Sequence, residues 1–359
     1  MIGTEKAGTA TKGYATHGPD AKFEPFNFIR RDVGPNDILI DIQYCGVCHS
    51  DIHLHDGYFD LGGGRKAELA GGRPLPFALG HEIEGELVAT GPDVKGVTIG
   101  KRYVIYPWIG CGECATCQSG DEHLCAKPRQ IGIQTQGGYA THVLVPHPKY
   151  LLEYDPIPRD LAGTYMCSGV TAYSAIAKLG ALADRGPALI IGLGGVGMMG
   201  FSFLRARSQH KPIVVEIDAK KREHALANGA AAAFDPMDKA TRKEIMVASG
   251  GGVLGAIDFV GSDKSAALGF GALAKGGSLV VAGLIGGEMP LSVPVLGLKG
   301  VSIIGNYVGS LSEAKEMLAL VRAGKVAPIP VKTRPLSEAN AALDDLRNGK
   351  TIGRTVLVA

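Results

Sequence analysis

Four of the seven cysteines in this 359-residue chain fall inside fifteen positions, as Cys111-x2-Cys114-x2-Cys117-x7-Cys125. Thiols that crowded either pair as disulfides or close on a metal, and x-x spacing lets neighbouring sulfurs turn back onto one tetrahedral ion. A disulfide scaffold suits a short secreted chain. This one is long, has an odd cysteine count, and opens MIGTEKAGTATKGYA without the apolar stretch of a secretory leader. The segment therefore reads as a closed zinc site, an iron–sulfur cluster being the other chemistry that four cysteines serve. A second group is dispersed: Cys45-Gly-Val-Cys48-His49-Ser50-Asp51-Ile-His53, then Gly80-His81-Glu82, then Cys167. Two thiolates and an imidazole around an ion with one position free are what a catalytic zinc requires. Ligands drawn from three separated segments would leave one side open. His17, His123, His142, His147, His210 and His224 stand outside these clusters and read as ordinary core or surface residues.

A third chemistry lies further on. Gly192-Leu-Gly194-Gly195-Val196-Gly197 follows the apolar run Ala188–Ile191 and precedes a helical pattern. The first glycine permits the tight turn, the second lets backbone amides approach a pyrophosphate, and the third lets helix and strand pack closely. A carboxylate ending the next strand should receive the adenosine ribose hydroxyls. Glu216 and Asp218 both lie about twenty residues past the glycines. Asp218 falls at the strand-to-helix turn, whereas Glu216 sits inside the apolar run, so Asp218 is the expected partner. A carboxylate there repels a 2′-phosphate and favours NAD over NADP; Lys220, Lys221 and Arg222, which follow directly, could partner such a phosphate.

The elements that must position these groups change character along the chain. From about 12 to 160, short runs such as Ile38–Ile42, Glu86–Ala89, Arg102–Ile105 and His142–Val145 are separated by Gly, Pro and Asp turns, which predicts a β-rich unit. From about 170, apolar strands alternate with helices: Ala188–Ile191, a helix Val196–Arg207, Pro212–Ile217, a helix Lys220–Asn228, then strands Ala256–Val260, Ser278–Val281 and Val301–Ile304. That alternation predicts a doubly wound parallel sheet. Helices at Ser312–Arg322 and Ser337–Arg347 and a last strand, Gly353–Val358, follow. A 45% hydrophobic, 20% charged composition with a formal net charge of +2 gives no footprint for nucleic acid, and no apolar run reaches the ~20 residues that span a bilayer. A reducing cytoplasm is the expected compartment.

Taken together, GHE at 80–82, C-x2-C-x2-C-x7-C at 111–125, GLGGVG at 192–197 and the opening Tyr44–His53 segment resemble the zinc-dependent alcohol dehydrogenases of the medium-chain dehydrogenase/reductase superfamily. The resemblance runs over nearly the full length. It implies an α/β protein: a GroES-like catalytic domain from 1–168 and 306–359, with a structural-zinc lobe at 108–126, and a Rossmann domain at 169–305. It implies two zinc ions per subunit. Cys48, His81 and Cys167 would hold the catalytic one, and Cys111, Cys114, Cys117 and Cys125 the structural one, which sets iron–sulfur aside and leaves Cys45 spare. Asp51 and Glu82 would be carboxylates behind the catalytic metal. Ser50 would touch the substrate oxygen and His53 would end the proton relay. His49 and Arg354 would lie against the pyrophosphate, and Thr171, with the backbone near Ala282 and Leu284, would border the nicotinamide.

The implied reaction is hydride transfer between an alcohol and NAD. Trp108 and Tyr139 match regions that line the family's substrate pocket, which favours hydrophobic or aromatic alcohols. The short stretch from Cys125 to Tyr139 suggests a homotetramer with Val301–Tyr307 as an inter-subunit edge. The Gly-rich segment Gly57–Phe77 is longer than in many relatives and would sit near the cleft mouth. The competing readings are a polyol or sugar dehydrogenase, a zinc-stabilised NAD-binding protein without turnover, and a zinc-free quinone or enoyl reductase. The Cys48/Ser50/His53/His81/Cys167 set argues against the last two.

Overall fold

The computed structural model describes residues 8–69 and 73–359. The alternating half forms a six-stranded parallel sheet in the order Ala232–Phe234, Ile213–Val215, Leu189–Ile191, Val253–Asp258, Leu273–Val281, Ser302–Gly305. Its short inner strands, LII and IVV, are buried on both faces and show no polar alternation, as a sheet covered by helices requires. Strand order reverses between Leu189–Ile191 and Val253–Asp258. Beyond the carboxyl ends of these two strands a crevice opens, the place where such sheets take ligands.

The glycine turn sits at this switch point. Gly192 has φ +88°, and a side chain there would stand 2.5 Å from Val260. At Gly197 an added Cβ would lie 1.9 Å from the Gly192 carbonyl oxygen, so only glycine lets the helix Gly195–Arg207 seat on its strand.

The β-rich half forms a mostly antiparallel sheet in the order Val331–Pro335, Arg354–Val358, Ile38–Gly46, Glu82–Thr90, Arg102–Ile105, Leu151–Leu152, with His142–Val145 also paired to Ile38–Gly46. The two strands after residue 330 thus return to the sheet begun near residue 38. The helix Ser168–Leu179 lies between the halves, packed against Gly195–Arg207 and Leu311–Arg322. Inside the Gly-rich segment, for which the sequence predicts no strand, the chain forms a hairpin, Tyr58–Gly62 with Arg65–Glu68. Ala70, Gly71 and Gly72 of that segment lie outside the described residues. The hairpin tip reaches the other half, where Arg65 meets Glu288 at 3.0 Å. Among the described residues, no helix is long and apolar enough to cross a membrane.

Candidate active site

Each metal-ligand candidate sits where one element gives way to the next. Cys48 is the N-cap residue of the helix His49–Asp56, His81 precedes the strand Glu82–Thr90, and Cys167 precedes the helix Ser168–Leu179. Folding brings the Cys48 and Cys167 sulfurs to 3.7 Å, and the His81 ring joins them within a group whose ligand atoms all lie inside 4.8 Å. Sulfurs sharing a tetrahedral zinc at about 2.3 Å stand about 3.8 Å apart, so the spacing fits one ion. His81 is fully buried, and neither ring nitrogen has a hydrogen-bond partner among the described residues. Asp51 Oδ1 approaches Nδ1 to 3.3 Å and orients the ring, leaving Nε2 for a metal. The protons are arranged accordingly. The contact with Cys167 holds the Cys48 thiol well below the usual range, against the upward pull of burial, while the same contact and burial hold Cys167 well above.

The carboxylates behind this group are themselves fixed. Asp51 accepts from the Cys48 amide at 2.9 Å and from the Tyr139 hydroxyl at 3.0 Å. Glu82 accepts from Ser168 Oγ at 2.9 Å and is paired with the Arg354 guanidinium, both fully shielded. Its carboxylate also falls inside the 4.8 Å ligand group. Burial raises the Glu82 carboxyl above its ordinary range, and Arg354 opposes that rise. Tyr139 is a correction. It was expected to line the substrate pocket, but it has no exposed surface and spends its hydroxyl on Asp51, so it braces the His81 support instead.

The four-cysteine lobe is equally compact. Cys114–Cys117, Cys111–Cys117 and Cys114–Cys125 sulfurs lie 3.5, 3.8 and 3.9 Å apart. That is far beyond a bonded disulfide and right for one tetrahedral ion. A multi-iron cluster would need its sulfurs spread around a larger body. Backbone amides of Cys111, Cys114 and Lys127 point at the sulfurs, as thiolate ligands want. The amides of Glu113 and Cys114 bring the Cys111 thiol down to about 6.

Between the catalytic group and the glycine turn runs a cleft of about 600 Å³. His49, Ser50, His53, Thr171, Arg354 and Trp108 line it, as do Gly192, Gly194, Gly195, Val196 and Gly197. Shielding by surrounding protein holds the His49 and His53 imidazoles below their usual range; for His53 the neighbouring His49 adds to the effect. His53 packs against Phe59 of the hairpin, ring centroids 4.7 Å apart. Arg354 lies against Gly195 while paired to Glu82, and so joins the phosphate turn to the metal group.

The acidic partner of the glycine turn is the second correction. Asp218 caps the helix Ala219–Ala227, accepting from the Lys220 amide at 2.8 Å, and does not line the cleft. Glu216 does. The strand ends at Val215, so Glu216 is the first residue beyond it, and its carboxylate accepts from the Leu193 amide inside the glycine turn. Lys221 also faces the cleft, whereas Arg222 is held by the Glu216 and Ile217 carbonyls and Asp235. His123 was read as ordinary, yet it lines the cleft, and its buried Nδ1 has no hydrogen-bond partner among the described residues. Asn306 and Gln130 were not foreseen either. Glu216 alone had been weighed, as the other carboxylate near the end of that strand.

Residues 34–156 match the alcohol dehydrogenase GroES-like domain and residues 195–323 the zinc-binding dehydrogenase family. A NAD-dependent alcohol dehydrogenase from Sulfurisphaera tokodaii is 38% identical over 326 residues, covering 89% of this chain and 92% of the relative. The solved alcohol dehydrogenase of Aeropyrum pernix superposes with a TM-score of 0.86 at 26% identity, over 97% of this chain and 100% of that one. The acetophenone reductase of Geotrichum candidum, solved with NAD, gives 0.84 at 25% identity over 99% of each chain. With the Cys48/His81/Cys167 group and the glycine turn on one cleft and a four-cysteine lobe beside it, these likenesses show that the chain belongs to the zinc-type alcohol dehydrogenases of the medium-chain dehydrogenase/reductase superfamily.

Proposed function

We infer that this chain is a NAD-dependent alcohol dehydrogenase that favours hydrophobic, ring-bearing alcohols. The observation that carries the reading is one cleft with the Cys48/His81/Cys167 donor set at one end and the glycine turn with Glu216 at the other. A zinc ion held by those three residues supplies Lewis acidity that lowers an alcohol hydroxyl's pKa, and NAD supplies the hydride acceptor.

The chain's own residues do the rest. Ser50 Oγ receives the substrate hydroxyl proton and passes it toward His53. Because His53 is held below its usual range, its ring is neutral at pH 7 and able to accept. The amides at the start of the helix Gly195–Arg207 and the Arg354 and His49 side chains meet the pyrophosphate. Glu216 accepts from the ribose hydroxyls and repels a 2′-phosphate. Trp108, Leu124, Pro128 and Ile133 form an apolar wall at the metal end, which supports the hydrophobic preference. Gln130, Gln134 and His123 in the same wall keep a polyol as the competing substrate.

The edge strand Ser302–Gly305 and the exposed Val293, Leu298 and Tyr307 beside it support assembly through that edge, toward a tetramer. Seven unpaired cysteines suit a reducing cytoplasm. The test is NAD and NADP spectrophotometry across primary, secondary, aromatic and polyol substrates, with metal content measured on the same material. Cys48→Ser should cut turnover by at least about a thousandfold and remove one of two zinc ions while NADH still binds. Near-normal turnover would overturn the reading.

A further inference from the structure

We propose that Phe59 is a positioning residue for the proton relay: the hairpin Tyr58–Glu68 lays its ring against the His53 imidazole, covering one face and holding the imidazole in place on the cleft wall. The proposal rests on the relay reading above. Ser50 and His53 stand three positions apart on the helix His49–Asp56, hence on one side of it, and both line the cleft. The rings beside His53 are Phe59, with centroids 4.7 Å apart and planes tilted by 45°, and His49 at 6.1 Å.

The local sequence delivers Phe59 to that place. The helix stops at Gly57, whose φ of +84° suits glycine and whose N–H donates to the His53 carbonyl oxygen at 2.9 Å. The chain thus turns back over the last helical turn, and Phe59 arrives two residues later. Asp60, Leu61, Arg65, Lys66 and Glu68 of the hairpin are exposed, and a two-stranded ribbon alone in water is at best marginally stable. This one is held from both ends. At its base the Leu69 N–H donates to the Gly57 carbonyl oxygen at 2.7 Å, and at its tip Arg65 meets Glu288 at 3.0 Å. A Cβ added at Gly62 would stand 2.6 Å from Glu288 Cβ, so the tip rests directly on the dinucleotide half. A ribbon fixed to both halves yet mostly exposed is placed for what it covers. Phe59, with Leu69 just beyond the second strand, is what it presents to the cleft.

The titratable and charged groups acting on His53 are Cys48, His49 and Asp56 along its own helix and Arg347 from the helix Ala339–Arg347 packed against it. The hairpin's part is the apolar ring. Removing that ring opens the imidazole to water and leaves those charges where they are. Water favours the imidazolium, so His53 would keep its proton to higher pH and accept one from Ser50 less readily.

The test reads His53 directly as well as through turnover, on zinc-loaded protein. Diethyl pyrocarbonate labelling at pH 7.5, followed residue by residue by mass spectrometry, should be about fivefold faster at His53 in Phe59→Ala than in wild type. Labelling of the half-buried His142, outside the cleft, should not change, and so reports any general loosening. The acid limb of alcohol oxidation should move up by about half a pH unit, toward 6.5, and Phe59→Tyr, which keeps the ring, should restore both readings. If Phe59→Ala does not fold, Phe59→Val is read in the same way. Unchanged labelling of His53, or equal acceleration at His142, would overturn the proposal, as would an acid limb that stays in place in Phe59→Ala yet vanishes in His53→Gln. A limb that persists in His53→Gln would overturn the relay reading itself, and the proposal with it.

Discussion

Glu216 and Asp218 are two positions apart and face different tasks, so exchanging each should give separable results. Glu216→Ser removes the carboxylate that would repel a 2′-phosphate, with Lys221 left in the cleft to meet one. We expect kcat/KM for NADP relative to NAD to rise about 30-fold, the worth of about 2 kcal/mol, read by steady-state kinetics with both cofactors. Asp218→Ser should leave that ratio alone, and Asp218→Ala should lower stability by about 1 kcal/mol through loss of the helix cap, read by thermal melting. A cofactor shift in the Asp218 variants alone would reverse the two roles. At His53 the sign follows from its environment. Shielding and His49 depress the imidazole, so the acid limb of alcohol oxidation attributable to it should lie below pH 6.5. In His53→Gln that limb should vanish, with oxidation near pH 7 slowed about a hundredfold and partly restored by added imidazole. An unchanged profile would remove His53 from the relay. The ligand types and the glycine turn could be read directly from residue identities. The ribose partner could not, because the strand ends at Val215 and not at Ile217, a two-residue difference that decides which of two nearby carboxylates faces the cleft.

The helix Ala115–Gln118 and the turn Glu122–Leu124 are each far too short to persist alone, so the lobe they form depends on its sulfurs and on Glu122, which is buried against Lys149 and Tyr150. The same lobe contributes Trp108, His123 and Leu124 to the cleft wall. Cys114→Ser should therefore release one zinc ion, open the lobe to protease between residues 112 and 124, and raise the alcohol KM several-fold with NADH affinity unchanged. A protease-resistant variant that keeps both ions would contradict this. The long strands and helices of both halves were legible because their apolar runs were bounded by turn residues. The hairpin Tyr58–Glu68 was not, since its glycines at 62–64 resemble a loop until a partner strand is seen to pair across them. Tyr139 was misjudged for a related reason. Aromatic identity marks a residue as large and amphipathic, and only packing tells whether its hydroxyl faces a ligand or a buried aspartate.

Across the whole molecule, burial governs the response to acid. His53, His123 and His142 are all held below the ordinary imidazole range, chiefly by burial. The unfolded chain takes up protons near pH 6.5 that the folded chain refuses, so stability should fall as pH drops below that value. Asp37 and Asp56, held down by Arg31 and Arg347 against the opposing pull of burial, add losses of the same sign at lower pH, while Glu82 and Asp258, held up, act oppositely. Denaturant midpoints at pH 7.5 and 5.5 check this, and a higher midpoint at 5.5 would refute it. The strand Arg354–Val358 adds a consequence of another kind. It is hydrogen-bonded to Ile38–Gly46, and its first residue pairs with Glu82 from 272 positions away. During translation the dinucleotide sheet can assemble while that strand is still inside the ribosome, but the chemical half cannot. A chain ending between residues 324 and 353 would keep every strand of the dinucleotide sheet and lose this one, leaving Glu82 without its guanidinium, so it should not oxidise alcohol.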